Sequence, residues 1–271
     1  MDITIPARVI FNIGPLAITD GLLGSILASI FLVVFSAVAA SRFSLIPTKV
    51  QVAFEMVTDY VMDLLVNAFH SEERARRFFP FFITMLLFLT VANQLVLVPF
   101  IFEITQQGVD GQAVDLFRQP TSDLALPLAY ALMVVFIANV MAFKISPIRY
   151  IGGFIAIGPI LKARSIGDLF NGFVGFFVGI LNIIGEFAKI ISLSARLFGN
   201  IFAGGVMIAV IASLSVYTQY LVPLPFIVLS TFSGFVQAFV FMLLSIQFIA
   251  LSIEGVMDDE VTEEGTEPAL A

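Results

Sequence analysis

Long apolar stretches of the chain alternate with short segments in which the charges cluster. A helix needs about 20 apolar residues to cross the hydrocarbon core of a bilayer. Three runs reach that length without a charged residue, and a turn around residues 220–225 divides a fourth, longer apolar region. The pattern predicts five membrane helices, at residues 21–41, 78–102, 124–143, 169–214 and 225–253.

The segment at residues 48–69 follows a different pattern. Apolar residues such as Val50, Phe54 and Val57 recur at helical spacing, and acidic residues such as Glu55 and Asp59 lie between them. Pro47, just ahead of the segment, suits the start of a helix. One polar and one apolar face predict an amphipathic helix on the membrane surface, between the first two crossings.

The last two predicted helices are too long to cross the membrane upright. At 1.5 Å per residue, residues 169–214 would extend roughly 68 Å and residues 225–253 roughly 43 Å, against a core of about 30 Å. They must tilt, curve or break. A long, strongly tilted hairpin is one solution, and two upright spans with a re-entrant piece is the other.

Composition places the chain among integral membrane proteins: 59% of its residues are hydrophobic, 12% are charged and 30 are Phe. The net charge of −7 comes from residues 254–271, which hold seven acids and no base and form a solvated tail. The absence of cysteine excludes disulfides and thiolate metal sites, and His70 lies in a charged segment typical of a surface. We expect no metal and no cofactor, and the fold class is all-α.

The first apolar run has an alternative interpretation as a cleaved signal peptide, because Ala37-Val-Ala39 has the small residues of a processing site. The run is longer than the core of a typical signal, and Arg8 is the one base before it. We therefore expect it to remain as a membrane helix.

Basic residues alternate cleanly between the two sides of the membrane. The connection from Arg42 to Arg77 holds five bases and that from Lys144 to Arg164 holds four, whereas residues 103–123 hold one and the last turn none. The positive-inside rule places the base-rich connections inside, with the N-terminus outside and the C-terminus inside. The start lacks the Arg- and Ser-rich composition of a transit peptide, which favours a bacterial plasma membrane over an organelle membrane.

One arginine, Arg196, stands within the fourth membrane helix. An arginine at the centre of a membrane helix costs about 2.5 to 3.5 kcal/mol on insertion scales and cannot lose its charge, so its presence indicates a function. On a helical wheel five other polar residues of this helix fall within about 120° of one another, around Arg196. This stripe consists of Asn182, Glu186, Lys189, Ser192, Arg196 and Asn200, with Gly185 leaving room for a close neighbour.

Neutral polar residues of the fifth membrane helix are candidates to face that stripe. Gln237 and Ser230 lie on one face about two turns apart, and the helix also carries Ser233, Ser245, Gln247 and, at its inner end, Glu254. Such groups in membrane helices often only bond a neighbouring helix. The same packing interpretation applies to the stripe around Arg196 and remains open.

Several motifs resemble subunit a of F-type ATP synthases. Ser192-Leu-Ser-Ala-Arg-Leu-Phe-Gly-Asn200 is similar to that family's Ser-Leu-x-x-Arg-Leu-x-x-Asn signature. Gln237-Ala-Phe-Val-Phe241, Thr121-Ser-Asp-Leu124 and Glu186-Phe-Ala-Lys189 resemble further segments of the family. The resemblance covers essentially the whole chain.

This resemblance implies a stator subunit whose Arg196 faces a rotating ring of small subunits, the c subunits, each with one membrane carboxylate. Two aqueous half-channels would deliver protons to the ring and remove them from it, with the last two helices packed against the ring. The peripheral-stalk subunit b, the other ATP synthase subunits and lipid are the expected partners, and nucleic acid is not. No GxxxxGK[ST] motif occurs, so we expect no catalytic activity from this chain alone.

The chain departs from the family at two positions. Many members carry a carboxylate or histidine nine residues after the arginine or seven before the glutamine, and here these positions hold Gly205 and Ser230. Glu186, Gln237 and Asn200 are therefore the first candidates to support ion translocation beside Arg196. The secondary half-channel candidates are Lys189, Ser192, Asn182, Ser230, Gln247, Glu254 and Asp123, with Glu103, Asp110 and Asp115 near the outer mouth.

Two other functions make different predictions. A stand-alone secondary transporter would show paired broken helices in two related halves, and no internal repeat is visible in the sequence. A purely structural membrane subunit would tolerate a neutral residue in place of Arg196.

Overall fold

The computed structural model describes residues 9–13, 16–43, 47–94, 105–107, 113–115, 119–154, 166–213 and 222–264. Within these residues the chain forms seven α-helices, a short 3-10 turn at Pro120–Ser122 and two β-hairpins. The helices are α1 (Asp20–Ser41), α2 (Lys49–Phe69), α3 (Glu72–Gln94), α4 (Ala125–Ile145), α5 (Pro147–Phe154), α6 (Ile166–Ser213) and α7 (Leu224–Glu264). The strands are β1 (Val9–Ile13), β2 (Leu16–Thr19), β3 (Thr105–Gln107) and β4 (Ala113–Asp115).

Five of the described helices, α1, α3, α4, α6 and α7, are long and apolar enough to cross a membrane. The prediction of an all-α integral membrane protein is confirmed. The two antiparallel hairpins are an addition that the apolar pattern did not predict, and they pair β1 with β2 and β3 with β4. Strands of three to five residues are too short for an alternating pattern to stand out.

Caps mark the ends of the first two helices. The side chain of Thr19 accepts a hydrogen bond from the backbone N–H of Leu22 at the start of α1, and Thr48 does the same for Gln51 at the start of α2. The exposed His70 ends α2 in the left-handed conformation, with φ of 49°. In the structure His70 therefore closes a helix.

The last helix continues beyond the apolar sequence. We expected a tail from residue 254 onward, but α7 extends to Glu264 and includes six of the seven acids of that segment. Extending an existing helix needs no new nucleation, and each added residue gains a backbone hydrogen bond. The uninterrupted α6 has 48 residues and also begins slightly earlier than expected, at Ile166.

The chain divides into two compact units. The first contains residues 1–127 and 195–243, and the second contains residues 128–194 and 244–271. The buried core of the first unit includes Phe82 and Leu89 of α3, Leu197 of α6 and Phe241 of α7. In the second unit, the buried residues come from α4, α6 and α7, and they include Val134, Ala138, Leu193, Ile246 and Ile249.

Candidate functional site

Arg196 is exposed, whereas the face of α6 that packs within the chain is formed by other residues. Leu193, Leu197 and Ile201 are buried and recur at a spacing of four, which places them on one face of the helix. Among the residues that the structure describes, no carboxylate forms an ion pair with Arg196. Within the described part of the chain, Arg196 is thus an exposed charge in a membrane-length helix.

Directly after Arg196, α6 is joined to α7 by hydrogen bonds. The hydroxyl of Ser233 donates to Asn200 Oδ1 at 2.7 Å, and Asn200 Nδ2 donates to the carbonyl of Ser233 at 3.3 Å. Gly204 allows a close approach, because a Cβ added there would lie 2.6 Å from Ser230 Oγ. Asn200 and Ser230 thus contribute to helix contact, which is the packing role that the sequence left open.

Gly234 is a second point of close approach, between α7 and its neighbours. A Cβ added at this buried glycine would lie 3.2 Å from Asn93 Cβ and 3.7 Å from Ile201 Cδ1.

We expect Gly234→Val to lower the free energy of unfolding by about 1 to 3 kcal/mol, because extra methyl groups cannot enter a filled space. The measurement is the thermal midpoint of the purified chain in detergent. Gly205→Val is the matched control, since a Cβ at Gly205 meets nothing within 4 Å; equal losses in both variants would contradict the packing argument.

A buried polar network joins the end of α3 to α7 and to the 3-10 turn. Asn93 donates to the carbonyl of Gly234 at 2.9 Å and accepts from the hydroxyl of Thr121 at 2.8 Å. Gln94 Nε2 donates to the carbonyl of Thr231 at 3.0 Å. Two buried atoms, Gln94 Oε1 and Gln237 Nε2, have no hydrogen-bond partner within the described protein. Gln94 Oε1 can accept a hydrogen bond and Gln237 Nε2 can donate one, so water molecules could bond to both atoms.

Two buried carboxylates flank the start of α1. Asp20 accepts a hydrogen bond from the backbone N–H of Gly21 at 2.8 Å, and a Cβ added at Gly21 would collide with Asp123 Oδ2. Both carboxylates are more than nine-tenths buried. Gly21 is needed here because the Asp123 side chain occupies the place of a Cβ. The predicted candidate Asp123 thus has an acidic neighbour that the sequence analysis did not identify.

Glu186 lies in the second unit, in the middle of a cluster of polar side chains. Its Oε1 accepts from Lys189 Nζ at 2.6 Å, and its Oε2 accepts from Asn139 Nδ2 at 3.3 Å. The ammonium group of Lys189 also lies 5.7 Å from the ring centre of Phe248. Each carboxylate oxygen therefore has a donor, and the ion pair is mostly shielded from solvent, with Glu186 21% and Lys189 27% exposed.

A cavity of about 350 Å³ lies beside Glu186, within the second unit. Glu186, Lys189, Asn139 and Tyr150 give its wall polar groups, and Gly185 leaves it open because a Cβ there would meet nothing within 4 Å. Apolar residues such as Leu181 and Leu251 complete the lining. The cavity is large enough for several water molecules, so the carboxylate could exchange protons with water.

The remaining predicted residues are distributed over several environments. Ser192 and Gln247 are exposed, Glu254 is half-buried, and the exposed Asn182 donates to the carbonyl of Gly153 at 3.0 Å. Glu103 and Asp110 lie outside the described residues, and Asp115 is described as part of β4.

The polar stripe of α6 divides into groups with different surroundings. Arg196 and Ser192 are exposed, whereas Glu186, Lys189 and Asn200 are half-buried and have partners within the chain. Sequence reasoning missed Asn93, Gln94, Asn139 and Tyr150. The sequence did offer a signal for three of these residues. Polar side chains are costly within an uncharged apolar run, and the amides Asn93, Gln94 and Asn139 lie in such runs.

Comparison with known proteins gives a consistent result. The model of the family described as ATP synthase A chain matches residues 22–250. ATP synthase subunit a of Syntrophobacter fumaroxidans is 29% identical over 80% of this chain and 77% of its own length. Those of Geotalea daltonii and Moorella thermoacetica are each 29% identical, over 89% and 91% of this chain and 92% and 96% of their own lengths.

Proposed function

Since the chain belongs to the ATP synthase A chain family and is the proton-translocating stator subunit of an F-type ATP synthase, we propose that Arg196 is the charge that faces the rotor. The observation that supports this proposal is that Arg196 is exposed within a membrane-length helix and has no ion pair among the described residues. A charge in that position needs a partner, and none of the described residues forms an ion pair with it, which supports a partner on another subunit. The transporter and structural-subunit alternatives are not favoured by family membership.

The partner that fits is the membrane carboxylate of a ring subunit. A guanidinium attracts the deprotonated carboxylate as it enters the interface and favours proton release there. The same fixed positive charge repels protons and so opposes a direct leak between the two half-channels. Rotation of the ring is then the route by which a proton passes from one side to the other.

The ring contact can be tested with single cysteines, because the native chain contains none. Ser192 is exposed close to Arg196, whereas Ser194, two residues along the same helix, is only 4% exposed. We expect Ser192→Cys to form a disulfide with a cysteine placed beside the ring carboxylate, since a disulfide needs Cα atoms about 4.4 to 6.8 Å apart. Ser194→Cys is the matched control, and equal cross-linking of both variants would contradict the proposed orientation of α6.

We propose that Glu186 and its cavity form part of the inner half-channel. The cavity wall includes Tyr150 and Gly153, which belong to the base-rich connection that the positive-inside rule places inside. Glu186 supplies a group that can take up a proton from cavity water and pass it on. The ion pair with Lys189 holds the carboxylate in place.

For the outer half-channel, the proposed polar groups are those buried near α3 and the 3-10 turn. Gln94 Oε1 and Gln237 Nε2 offer an acceptor and a donor that have no partner among the described residues, and Asp20 and Asp123 add buried carboxylates. Water held by these groups would take the place of the titratable residues that the family resemblance leads us to expect at the positions of Gly205 and Ser230. The direct contact at Gly204 and Ser230 also leaves little room for water between those helices.

The chain is a component of the ATP synthase complex and an integral membrane protein. Its proposed partners are the c-subunit ring, the peripheral-stalk subunit b and lipid, and its proposed location is a bacterial plasma membrane with the C-terminus inside. We propose no catalytic site for this chain, so ATP chemistry belongs to other subunits. Both α6 and α7 exceed the length of an upright crossing and are proposed to tilt against the ring.

A further inference from the structure

A chain of hydrogen bonds leads from α5 to the carboxylate of Glu186. Tyr150 Oη lies 2.6 Å from Asn139 Oδ1, and Asn139 Nδ2 lies 3.3 Å from Glu186 Oε2. An ionised carboxylate can only accept, so the amide must turn its nitrogen toward Glu186 and its oxygen toward Tyr150. The tyrosine hydroxyl must then donate. Every proton in the chain therefore points toward the carboxylate.

The chain of bonds crosses three elements that line the cavity. Asn139 lies on α4, Tyr150 on α5 and Glu186 on α6, and α5 is tied to α6 by the bond from Asn182 to the carbonyl of Gly153. Among the described residues lining the cavity, the titratable groups are Glu186, Lys189 and Tyr150. The side chains from α4 and α7 that line it are uncharged, including Asn139 and Ser252. Lys189 therefore supplies the charge that faces Glu186 from within this lining.

We propose that Tyr150 and Asn139 are positioning residues that hold the Glu186 carboxylate on the cavity wall, oriented for proton exchange with the cavity water. Tyr150 acts through Asn139, by fixing the direction of the amide. An amide does not readily pass a proton along, so the chain orients Glu186 and does not conduct. This inference rests on the proposed role of Glu186 as a proton relay.

The protonation state of Tyr150 suits its role as a fixed hydrogen-bond donor to Asn139. Burial and the nearby negative charge of Glu186 raise the pKa of Tyr150 above its ordinary value of 10.0. The hydroxyl therefore keeps its proton over the range in which cells operate, and the donor to Asn139 remains present. Because it keeps its proton, Tyr150 acts as a fixed donor and does not titrate during turnover.

The test is the pH profile of ATP-driven proton pumping by the assembled complex in vesicles. Tyr150→Phe removes one hydroxyl and keeps the ring. Without that hydroxyl the Asn139 amide loses its fixed direction and no longer holds the carboxylate toward the cavity water, so the alkaline half-maximum of pumping should move away from that of the native complex. Loss of one neutral hydrogen bond changes an equilibrium by about threefold, which corresponds to about half a pH unit. Tyr60→Phe is the matched control, because Tyr60 is exposed on α2 and stacks on Phe239.

Asn139→Leu and the double variant separate positioning from other roles. Asn139→Leu should move the half-maximum in the same direction by at least as much as Tyr150→Phe. The double variant should match Asn139→Leu, because the hydrogen bonds from Tyr150 reach Glu186 only through the Asn139 amide. Additive shifts would show that Tyr150 acts independently and would overturn the proposal. A reduced amount of complex with an unchanged profile would overturn it too, because that outcome indicates structural support alone.

The failure of this inference can be distinguished from the failure of the relay. If Glu186→Gln lowers pumping while both Tyr150→Phe and Asn139→Leu leave the pH profile unchanged, the relay stands and the positioning chain is wrong. If Glu186→Gln pumps at the native rate, the relay itself is wrong and the positioning proposal fails with it. Neither result bears on Arg196, which is tested separately.

Discussion

Replacing Arg196 with alanine is expected to abolish ATP-driven acidification of vesicles that contain the assembled complex. Arg196 is exposed and has no ion pair among the described residues, so its removal leaves no buried partner unpaired within the described chain. The packing face of α6, formed by Leu193, Leu197 and Ile201, stays intact. The variant should therefore assemble at the native level and fail at the coupling step.

The expected size of the effect follows from electrostatics. An opposite charge within about 4 to 6 Å shifts the protonation of a carboxylate by about 10- to 1000-fold, so without Arg196 the ring carboxylate would keep its proton through the interface. Pumping should then fall below detection, and passive proton leak through the membrane sector should rise. The measurements are acidification, passive conduction and subunit content in the same vesicles.

Two further variants serve as controls for Arg196. Arg76→Ala removes an exposed arginine whose ion pair with Glu72 spans one turn of α3, and it should pump at the native rate. Arg196→Lys should be strongly impaired, because an ammonium can lose its charge in an apolar setting and cannot bond a carboxylate with two parallel donors. Near-native pumping by Arg196→Ala would refute the proposed role of this residue.

Glu186→Gln is expected to lower ATP-driven pumping by about 10-fold or more, because proton transfer by a positioned side chain typically contributes at least that much. Glutamine keeps the shape of the side chain and can still accept from Asn139, but it cannot take up a proton in the cavity. The defect should appear equally in passive proton conduction, since both processes need the inner route. The measurement is the rate of each process per assembled complex.

Glu73→Gln is the matched control for this substitution. Glu73 is 88% exposed and its nearest cationic partner, Arg77, lies 3.7 Å away, so its replacement should leave pumping unchanged. Removal of Glu186 also leaves Lys189 without its ion-pair partner, so Glu186→Gln with Lys189→Met distinguishes an uncompensated charge from a lost relay. Recovery of native pumping in that double variant would contradict the relay.

Much of the fold was predictable from the sequence because the membrane imposes a simple rule. Apolar length decides which segments can cross, and the helical spacing of apolar residues after Pro47 indicated the additional helix α2. The short hairpins and the extension of α7 to Glu264 were not predictable. Strands of a few residues leave little pattern, and a helix can continue into an acidic segment because elongation is easier than nucleation.

The candidate site was only partly predictable. The sequence identified Arg196, Glu186 and Gln237, because a charge or an amide within an apolar run is costly and therefore visible. It could not assign partners to them. Asn139 bonds Glu186 from a position 47 residues away along the chain, and Tyr150 bonds Asn139 from a further 11 residues along.

The sequence by itself determined that this is a membrane protein, how many helices are long enough to cross, and which arginine stands within one of them. The tertiary structure alone decided which polar groups face outward and which are satisfied inside. Arg196 and Ser192 are exposed, whereas Asn200 bonds Ser233 and Glu186 bonds Lys189 and Asn139. The physical reason is that helical periodicity fixes the face of a residue on its own helix, but the packing of other helices decides what that face meets.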